Sequence, residues 1–178
     1  MSKRMRKVAI VVLVAGVCII AQGAVLYAIG VRVNTSPSIP VGVYWKTDAK
    51  VEKGRYVTFC PMQLGVFDEA RRRGYITSGF CPGGYGYLMK RVLGATDDAV
   101  TIDDDGVRVN GTLLPNSAPM KADRHGLPLP RFQHDRYILS EHQLLLMSDV
   151  NPKSFDSRYY GPVQRSQVRD VIVPVLVW

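Results

Sequence analysis

Residues 85–114 read YGYLMKRVLGATDDAVTIDDDGVRVNGTLL, and this stretch decides the fold. It contains four short runs of aliphatic, β-branched or aromatic residues, which is the pattern of β-strands. Turn residues separate the runs, and Asn110-Gly111 is the strongest two-residue signal for a hairpin. The first run, 85–93, therefore predicts one strand, and the three runs after it, 99–102, 107–109 and 112–114, predict a β-meander.

Strand signals continue on both sides of this meander, so the outer part of the chain is predicted to be one mostly β domain. Acidic Asp68 and basic Arg73, followed by Gly74, predict one short helix at 68–73. Residues 115–136 are rich in proline and polar residues and predict an irregular excursion. The further strand-like runs are 43–46, 55–60, 144–147 and 171–177.

The N-terminal segment 8–31 is apolar apart from Gln22. As a helix it would extend about 36 Å, enough to cross the roughly 30 Å hydrocarbon core of a bilayer. Four basic residues precede it. The positive-inside rule then predicts a cytoplasmic tail at 1–7, a transmembrane helix at 8–31 and an extracytoplasmic domain at 32–178. A cleaved signal peptide, with small residues around Ala21, stays open as the alternative.

The 178-residue chain carries a formal net charge of +8, from 23 Lys and Arg against 15 Asp and Glu. Five of the basic residues and none of the acidic ones lie in the first 32 positions. Arg71, Arg72 and Arg73 form a run, but a solvated helix end explains them and no aromatic residue is interleaved. The charge pattern therefore predicts a lipid bilayer rather than nucleic acid as a partner, and the length excludes a large multidomain enzyme.

Only Cys60 and Cys81 lie in the predicted outer domain. In an oxidising compartment they could form a disulfide, and two free thiols are the alternative. Neither has a metal-ligand neighbour at CxxC spacing. The histidines His125, His134 and His142 match no local triad or metal signature. The sequence therefore predicts no cofactor and no metal site.

Lys90 and Ser38 have surroundings that are unusual for their residue types. In the strand 85–93 a period of two puts Lys90 on the face of Leu88 and Val92. Burial there would lower the pKa of the amine and let it act as a base, whereas an edge-strand lysine would reach water. Ser38 lies between two prolines that favour extended backbone and could present its hydroxyl. A rigid linker beside the membrane is the alternative.

A third patch, residues 154–161, reads SFDSRYYG. Strand-like alternation would place Ser154, Asp156 and Arg158 on one side. There the carboxylate and the guanidinium could pair, and the hydroxyl could orient a neighbouring group. On its own the pattern also fits a surface salt bridge, which would contribute little to stability.

Three of these segments together resemble one family. They are SIPVGVY at 38–44, KRVLG at 90–94 and SFDSRYYG at 154–161. In this order, and after a membrane segment, they resemble the serine, lysine and Ser-x-Asp-Ser-Arg boxes of the type I signal peptidases. The serine box and the small size are most similar to the conjugative-transfer members of that family. The resemblance implies a signal-peptidase-like catalytic β domain behind one N-terminal transmembrane helix.

The resemblance also implies a role for each residue of these boxes. Ser38 would be the acylated nucleophile and Lys90 the general base. The backbone N–H of Ser38 would help to stabilise the oxyanion. The supporting side chains would be Ser36 at the oxyanion, Ser154 at the lysine amine, and Asp156 with Arg158 behind Ser154.

By this resemblance the protein would be a serine endopeptidase of the bacterial inner membrane, with its N-terminus inside and its catalytic domain in the periplasm. Its partners would be the bilayer and a precursor protein, such as the pilin of a conjugative pilus. Two alternatives stay open. One is a transpeptidase that cyclises the pilin by aminolysis of the acyl-enzyme, and the other is a noncatalytic anchored scaffold of a conjugation complex.

Overall fold

A computed structural model describes residues 2–178. Its first element is helix α1, Lys3–Ala28, whose N-terminus Ser2 caps by accepting a hydrogen bond from the Met5 amide. By length and composition α1 could cross a membrane, and none of its residues is buried against the rest of the protein. An apolar helix near the N-terminus that is not buried in the protein fits a membrane anchor or a signal sequence.

The helix ends earlier than the sequence predicts. Gly30, at a φ of 112°, turns the chain out of α1, and Val31 already belongs to a strand. The predicted span 8–31 is therefore helical only as far as Ala28. Apolarity alone could not locate this boundary, because Ile29, Gly30 and Val31, which follow the helix, carry no polar side chain either.

Eleven strands and two more α-helices follow in the described chain. The strands are β1 (Val31–Asn34), β2 (Gly42–Thr47), β3 (Tyr56–Phe59), β4 (Leu88–Gly94), β5 (Ala99–Ile102), β6 (Val107–Val109), β7 (Thr112–Leu113), β8 (His134–Ile138), β9 (Gln143–Met147), β10 (Val163–Gln164) and β11 (Val168–Val177). The helices are α2 (Gly65–Arg72) and α3 (Ser157–Tyr160), and two 3-10 turns cover Pro82–Gly84 and Arg165–Gln167.

The strands form two antiparallel sheets, so the mostly β expectation is confirmed. The larger sheet has the order β1-β2-β11-β3-β4-β9-β10, and the smaller one has the order β7-β6-β5-β8. The C-terminal strand β11 lies between β2 and β3 and pairs with both, so the end of the chain occupies the interior of the sheet. Strand β4, which carries Lys90, is an interior strand paired with both β3 and β9.

Strand β9 joins the two hydrophobic cores. Leu144 and Leu146 pack into the core under the larger sheet, together with Phe67 of α2. Leu145 and Met147 alternate with them and pack into the core of the smaller sheet. Because side chains alternate along a strand, one apolar strand buried on both faces can serve both sheets.

The predicted strand 85–93 corresponds to β4 of the larger sheet, and the predicted meander corresponds to β5, β6 and β7 of the smaller sheet. At its hairpin Asn110 and Gly111 have φ of 51° and 80°, the positive pair that the Asn-Gly signal predicts. Helix α2 begins at Gly65, three residues before the predicted start. Strand β8 overlaps the segment predicted to be irregular, where most of its side chains are exposed and no apolar alternation marks it.

A disulfide joins Cys60, after β3, to Cys81, with 5.5 Å between the Cα atoms. The loop that it closes contains α2, whose Phe67 and Ala70 are buried in the larger core. The loop continues through residues 75–80, which return to pair with Tyr85 just before β4. The disulfide therefore links the segment 75–81, which lies beside the start of β4, to the end of β3.

Candidate active site

Ser38 lies in the loop between β1 and β2, residues 35–41, here called the Ser38 loop. Its side chain is half-buried, and the next residue, Ile39, is fully buried against Tyr44 and Met89. The loop ends at Gly42, where strand β11 passes so closely that a Cβ would lie 2.1 Å from the Leu176 carbonyl oxygen. Only glycine permits that approach, which explains the glycine in the serine box.

Lys90 is buried in the interior of the larger sheet and is 2% exposed. Leu88 and Val92, its neighbours on the same face, belong to the larger core, as the period of two predicts. The alternative of an edge-strand lysine in water is therefore wrong. Burial lowers the pKa of the Lys90 amine to about 8, while the carboxylate of Asp156 raises it and the guanidinium of Arg158 lowers it.

Ser154 connects these two residues. Its Oγ accepts a hydrogen bond from Lys90 Nζ at 2.9 Å and donates one to Ser38 Oγ at 3.2 Å. Among the hydrogen bonds of residues 2–178, none joins Lys90 directly to Ser38. Three segments far apart in sequence thus bring an amine and two hydroxyls into one continuous series.

Ser36 is turned away from this series. Its hydroxyl donates to Asn34 Oδ1 at 3.1 Å, and its backbone N–H donates to the same oxygen at 3.1 Å. A hydroxyl has one proton, so in this state Ser36 has none to offer to a substrate. To act at an oxyanion, the Ser36 hydroxyl must rotate away from Asn34.

Asp156 and Arg158 form an ion pair, at 2.8 Å, in which both side chains are fully buried. The surface salt bridge considered from sequence is therefore wrong. The strand alternation is also wrong, because Asp156 is the N-cap of α3 and accepts a hydrogen bond from the Arg158 amide. The short helix places the Arg158 guanidinium against the Asp156 carboxylate, to which it donates two hydrogen bonds. The guanidinium also donates to the carbonyl of Ser154 at 3.1 Å.

Two cavities flank Ser38. One, of about 390 Å³, lies between the Ser38 loop, β4 and residues 75–80, and Lys90 lines it. The other, of about 470 Å³, lies on the side of Ser154 and is lined also by Arg124 and Lys153. Ser38 therefore borders both cavities.

The three consecutive arginines at 71–73 contact groups of their own chain. Arg71 donates to the Gly83 carbonyl at 2.7 Å, Arg72 pairs with Glu69, and Arg73 donates to the Pro128 carbonyl at 2.9 Å. In residues 2–178 no group of three or more His, Cys, Asp or Glu is arranged to hold a metal ion.

Two site residues have no signal in the sequence. Asn34 looks like an ordinary turn residue, and its contacts appear only when the loop is folded. Asp149 pairs with Arg91, which follows Lys90 on β4, across 58 positions of sequence. No local pattern connects residues so far apart.

The chain matches known proteins over nearly its whole length. A family model described as "Signal peptidase, peptidase S26" matches residues 4–177. The chain is 60% identical over 178 residues to the plasmid transfer protein TraF of Escherichia coli, covering all of both chains. It is 34% identical over 167 residues to the conjugal transfer protein TraF of Agrobacterium tumefaciens, covering 92% of each.

A solved structure, a signal peptidase I from Enterococcus faecalis, matches with a TM-score of 0.41 and 18% identity. The match covers 71% of this chain and all of that one. The family match and the sequence identities confirm the resemblance seen in the three boxes.

Proposed function

We propose a function from one fact: the chain belongs to the signal peptidase family, peptidase S26. It is a membrane-anchored serine endopeptidase that matures a precursor protein, with Ser38 as nucleophile and Lys90 as general base. The observation that carries this proposal is the series Ser38–Ser154–Lys90, whose contacts are 3.2 Å and 2.9 Å and whose amine is buried.

Acylation requires that Ser38 lose its proton as its Oγ attacks the carbonyl carbon of the scissile bond. A neutral amine can take that proton, and a pKa of about 8 makes the neutral form of Lys90 accessible near neutral pH. The proton travels along the two existing contacts with their donors reversed. Ser38 donates to Ser154 Oγ, and Ser154 donates to the neutral Nζ of Lys90.

The attack turns the carbonyl oxygen into an oxyanion, which needs donors. The backbone N–H of Ser38 supplies one, and the Ser36 hydroxyl supplies another after it rotates from Asn34. An oxyanion is a stronger acceptor than an amide oxygen, so its formation favours that rotation. Removing one such donor typically costs about 10²- to 10³-fold in kcat.

Collapse of the intermediate breaks the C–N bond, and the Lys90 ammonium returns a proton to the leaving amine. The Ser38 ester then remains. Water, deprotonated by Lys90, opens the ester, releases the acid product and restores the Ser38 hydroxyl. Asp156 and Arg158 serve these steps by holding the carbonyl of Ser154, and with it the residue that links amine and nucleophile.

The names of the relatives suggest where this chemistry acts. The relatives are described as plasmid transfer and conjugal transfer proteins. We therefore assign the protein to conjugation, with a pilin precursor as its substrate. Helix α1 anchors it in the bacterial inner membrane, residues 1–7 lie in the cytoplasm and the catalytic domain lies in the periplasm. The apolar surface of α1 and the Cys60–Cys81 disulfide support this topology.

The test uses the full chain in detergent micelles with a purified conjugative pilin precursor. Ser38→Ala and Lys90→Met should each abolish cleavage, because they remove the nucleophile and the base. Ser166→Ala and Lys50→Met, which change exposed residues of the same types, should cleave at the wild-type rate. Gel mobility measures cleavage, and thermal unfolding checks that every variant is folded.

Each alternative gives a different result in the same experiment. If Ser38→Ala processes the precursor like the wild type, the protein is a noncatalytic scaffold and the proposal is wrong. If the product mass lacks the one water that hydrolysis adds, the acyl-enzyme was opened by an amine and the protein cyclises its substrate.

A further inference from the structure

One buried side chain, Asn34, contacts the Ser38 loop on both sides of Ser38. It is the last residue of β1 and is 4% exposed. Its Nδ2 donates to the carbonyl oxygens of Ser36, Ile39 and Pro40 at 2.7, 3.0 and 3.0 Å. Its Oδ1 accepts from the backbone N–H and from the hydroxyl of Ser36, both at 3.1 Å.

These contacts use the whole hydrogen-bonding capacity of the carboxamide. Nδ2 has two hydrogens for three carbonyls, so one hydrogen is shared, and both lone pairs of Oδ1 are occupied. The three carbonyls also determine which end of the amide is nitrogen. Asparagine is therefore the residue type that this site requires, since no other side chain of its length both donates twice and accepts.

Prolines leave the Ser38 loop with few hydrogen-bond donors of its own. Pro37 and Pro40 have no N–H and cannot donate to a neighbouring carbonyl. The Asn34 carboxamide supplies donors to the carbonyls of residues 36, 39 and 40, and the Tyr44 hydroxyl also donates to the Pro40 carbonyl at 2.6 Å. Ser38 itself is not touched, but the backbone before it and after it is held.

We propose that Asn34 is a positioning residue for the peptidase reaction: its carboxamide holds the backbone on both sides of Ser38 and the hydroxyl of Ser36 in the geometry that acylation needs. The inference rests on the proposed function. It assigns two roles to Asn34. The first is to orient the Ser38 hydroxyl and backbone N–H, and the second is to hold the Ser36 hydroxyl in a position from which one rotation brings it to the oxyanion. A misplacement of about 1 Å in such a site can cost 10²-fold in rate.

The test measures kcat and KM separately for cleavage of the pilin precursor by the full chain in micelles. Asn34→Ala should lower kcat about 100-fold and leave KM within about threefold, because most of the residues that line the two cavities belong to segments other than β1 and the Ser38 loop. The pH midpoint of kcat should not move, since the charged groups that shift the pKa of Lys90 are Asp156 and Arg158 and the Asn34 amide is uncharged. Asn34→Asp, of the same size, should lower kcat at least as much. It keeps the acceptor contacts to Ser36 but cannot donate to the three carbonyls.

Asn110→Ala is the matched control. Asn110 also makes donor and acceptor contacts through its amide, to Asp98 and to the Ala99 N–H, but in the smaller sheet. It should lower the thermal midpoint while leaving kcat at the wild-type value.

Three results would overturn the inference. They are a kcat within threefold of wild type in both Asn34 variants, an equal loss of kcat in Asn110→Ala, and unfolding of both Asn34 variants, which would make Asn34 a residue of the fold alone. Failure of the proposed function looks different, because then Ser38→Ala cleaves as the wild type does, or the wild type itself does not cleave.

Discussion

Residues 2–178 contain two buried Arg–Asp pairs, one behind the candidate active site and one where α1 meets the larger sheet. Arg158 and Asp156 are separated by 2.8 Å and are both 0% exposed. Arg32 and Asp170 are separated by 2.9 Å and are 6% and 8% exposed. The chemistry of the two pairs is the same, and their distances are nearly equal, so their surroundings must account for any difference in what they do.

The pair behind the candidate active site joins residues that are close in sequence and shielded from water, and we call it the closed pair. Its two residues are two positions apart, and the carboxylate also accepts from the Ser148 amide at 3.1 Å. The guanidinium donates to backbone carbonyls of Asn116, Pro152 and Ser154. Every charge is surrounded by protein, and the pair therefore acts on Lys90 and Ser154 through a medium with little water.

The pair at the end of α1 joins residues that are far apart in sequence and is partly exposed to water, and we call it the open pair. Its residues are 138 positions apart, and Asp170 is also paired with Lys46, which is 46% exposed, at 3.2 Å. Arg32 stacks over the Tyr27 ring at 4.0 Å and donates to the Tyr27 carbonyl at 2.8 Å. This pair therefore joins the end of α1 to β11, and water can reach its edge. The closed pair thus shifts the pKa of Lys90, whereas the open pair links α1 to the larger sheet.

The largest expected effect is on the closed pair. Asp156→Ala leaves the Arg158 guanidinium buried without a counter-charge, which should lower the free energy of unfolding by about 3–5 kcal/mol. Denaturant unfolding of the full chain in micelles measures this loss. Asp104→Ala, which breaks the exposed pair with Arg131, is the control and should cost less than about 1 kcal/mol. Equal losses of unfolding free energy in the two variants would mean that water reaches the closed pair and screens its charges.

The next effect concerns the pH dependence of Lys90, beside the closed pair. Cleavage should rise with pH around a midpoint near 8, because only the neutral amine is a base. In Asp156→Asn protein that remains folded, the midpoint should fall, since the carboxylate that raises the pKa of Lys90 is gone. Asp170→Asn should leave the midpoint unchanged. A profile that is flat from pH 6 to pH 10 would refute the base assignment.

The same titration predicts a change in stability. The pKa of Lys90 is about 8 in the folded protein and about 10.5 in the unfolded chain, so the unfolded chain binds more protons between these values. Stability should therefore rise by roughly 3 kcal/mol as pH increases from 8 to 10.5 and show no Lys90 contribution to the slope below 8. Lys90→Met, measured in parallel, should lack this rise.

The sequence predicts the parts of the site that are local and not the contacts between them. The residue types and order of Ser38, Lys90 and Ser154 indicated one site, and the period of two put Lys90 on the core face. Alternation failed at Asp156 because a helix cap, not a strand, arranges that segment.

Long-range and loop contacts could not be predicted for physical reasons. The pairing of Arg32 with Asp170 depends on strand β11 returning beside β2, which no local pattern specifies. In the sequence Asn34 is a single polar residue shortly before Ser36-Pro37, and its five side-chain hydrogen bonds form only when the Ser38 loop is folded. Strand β8 carries exposed side chains, and hydrogen bonding to β5 alone makes it a strand.

The smallest effect is expected at the open pair and decides whether the comparison holds. Asp170→Asn keeps the size of the side chain and removes its charge, leaving Arg32 with the Tyr27 and Val31 carbonyls and the Tyr27 ring. Because Arg32 keeps these partners and Lys46 can turn to water, the unfolding free energy should fall by only about 1–3 kcal/mol. The kcat for precursor cleavage should stay near wild type, because none of these groups contacts Ser38, Ser154 or Lys90. A loss of stability as large as that of Asp156→Ala, or a shift in the pH midpoint of cleavage, would show that the two pairs act alike and that burial alone sets their strength.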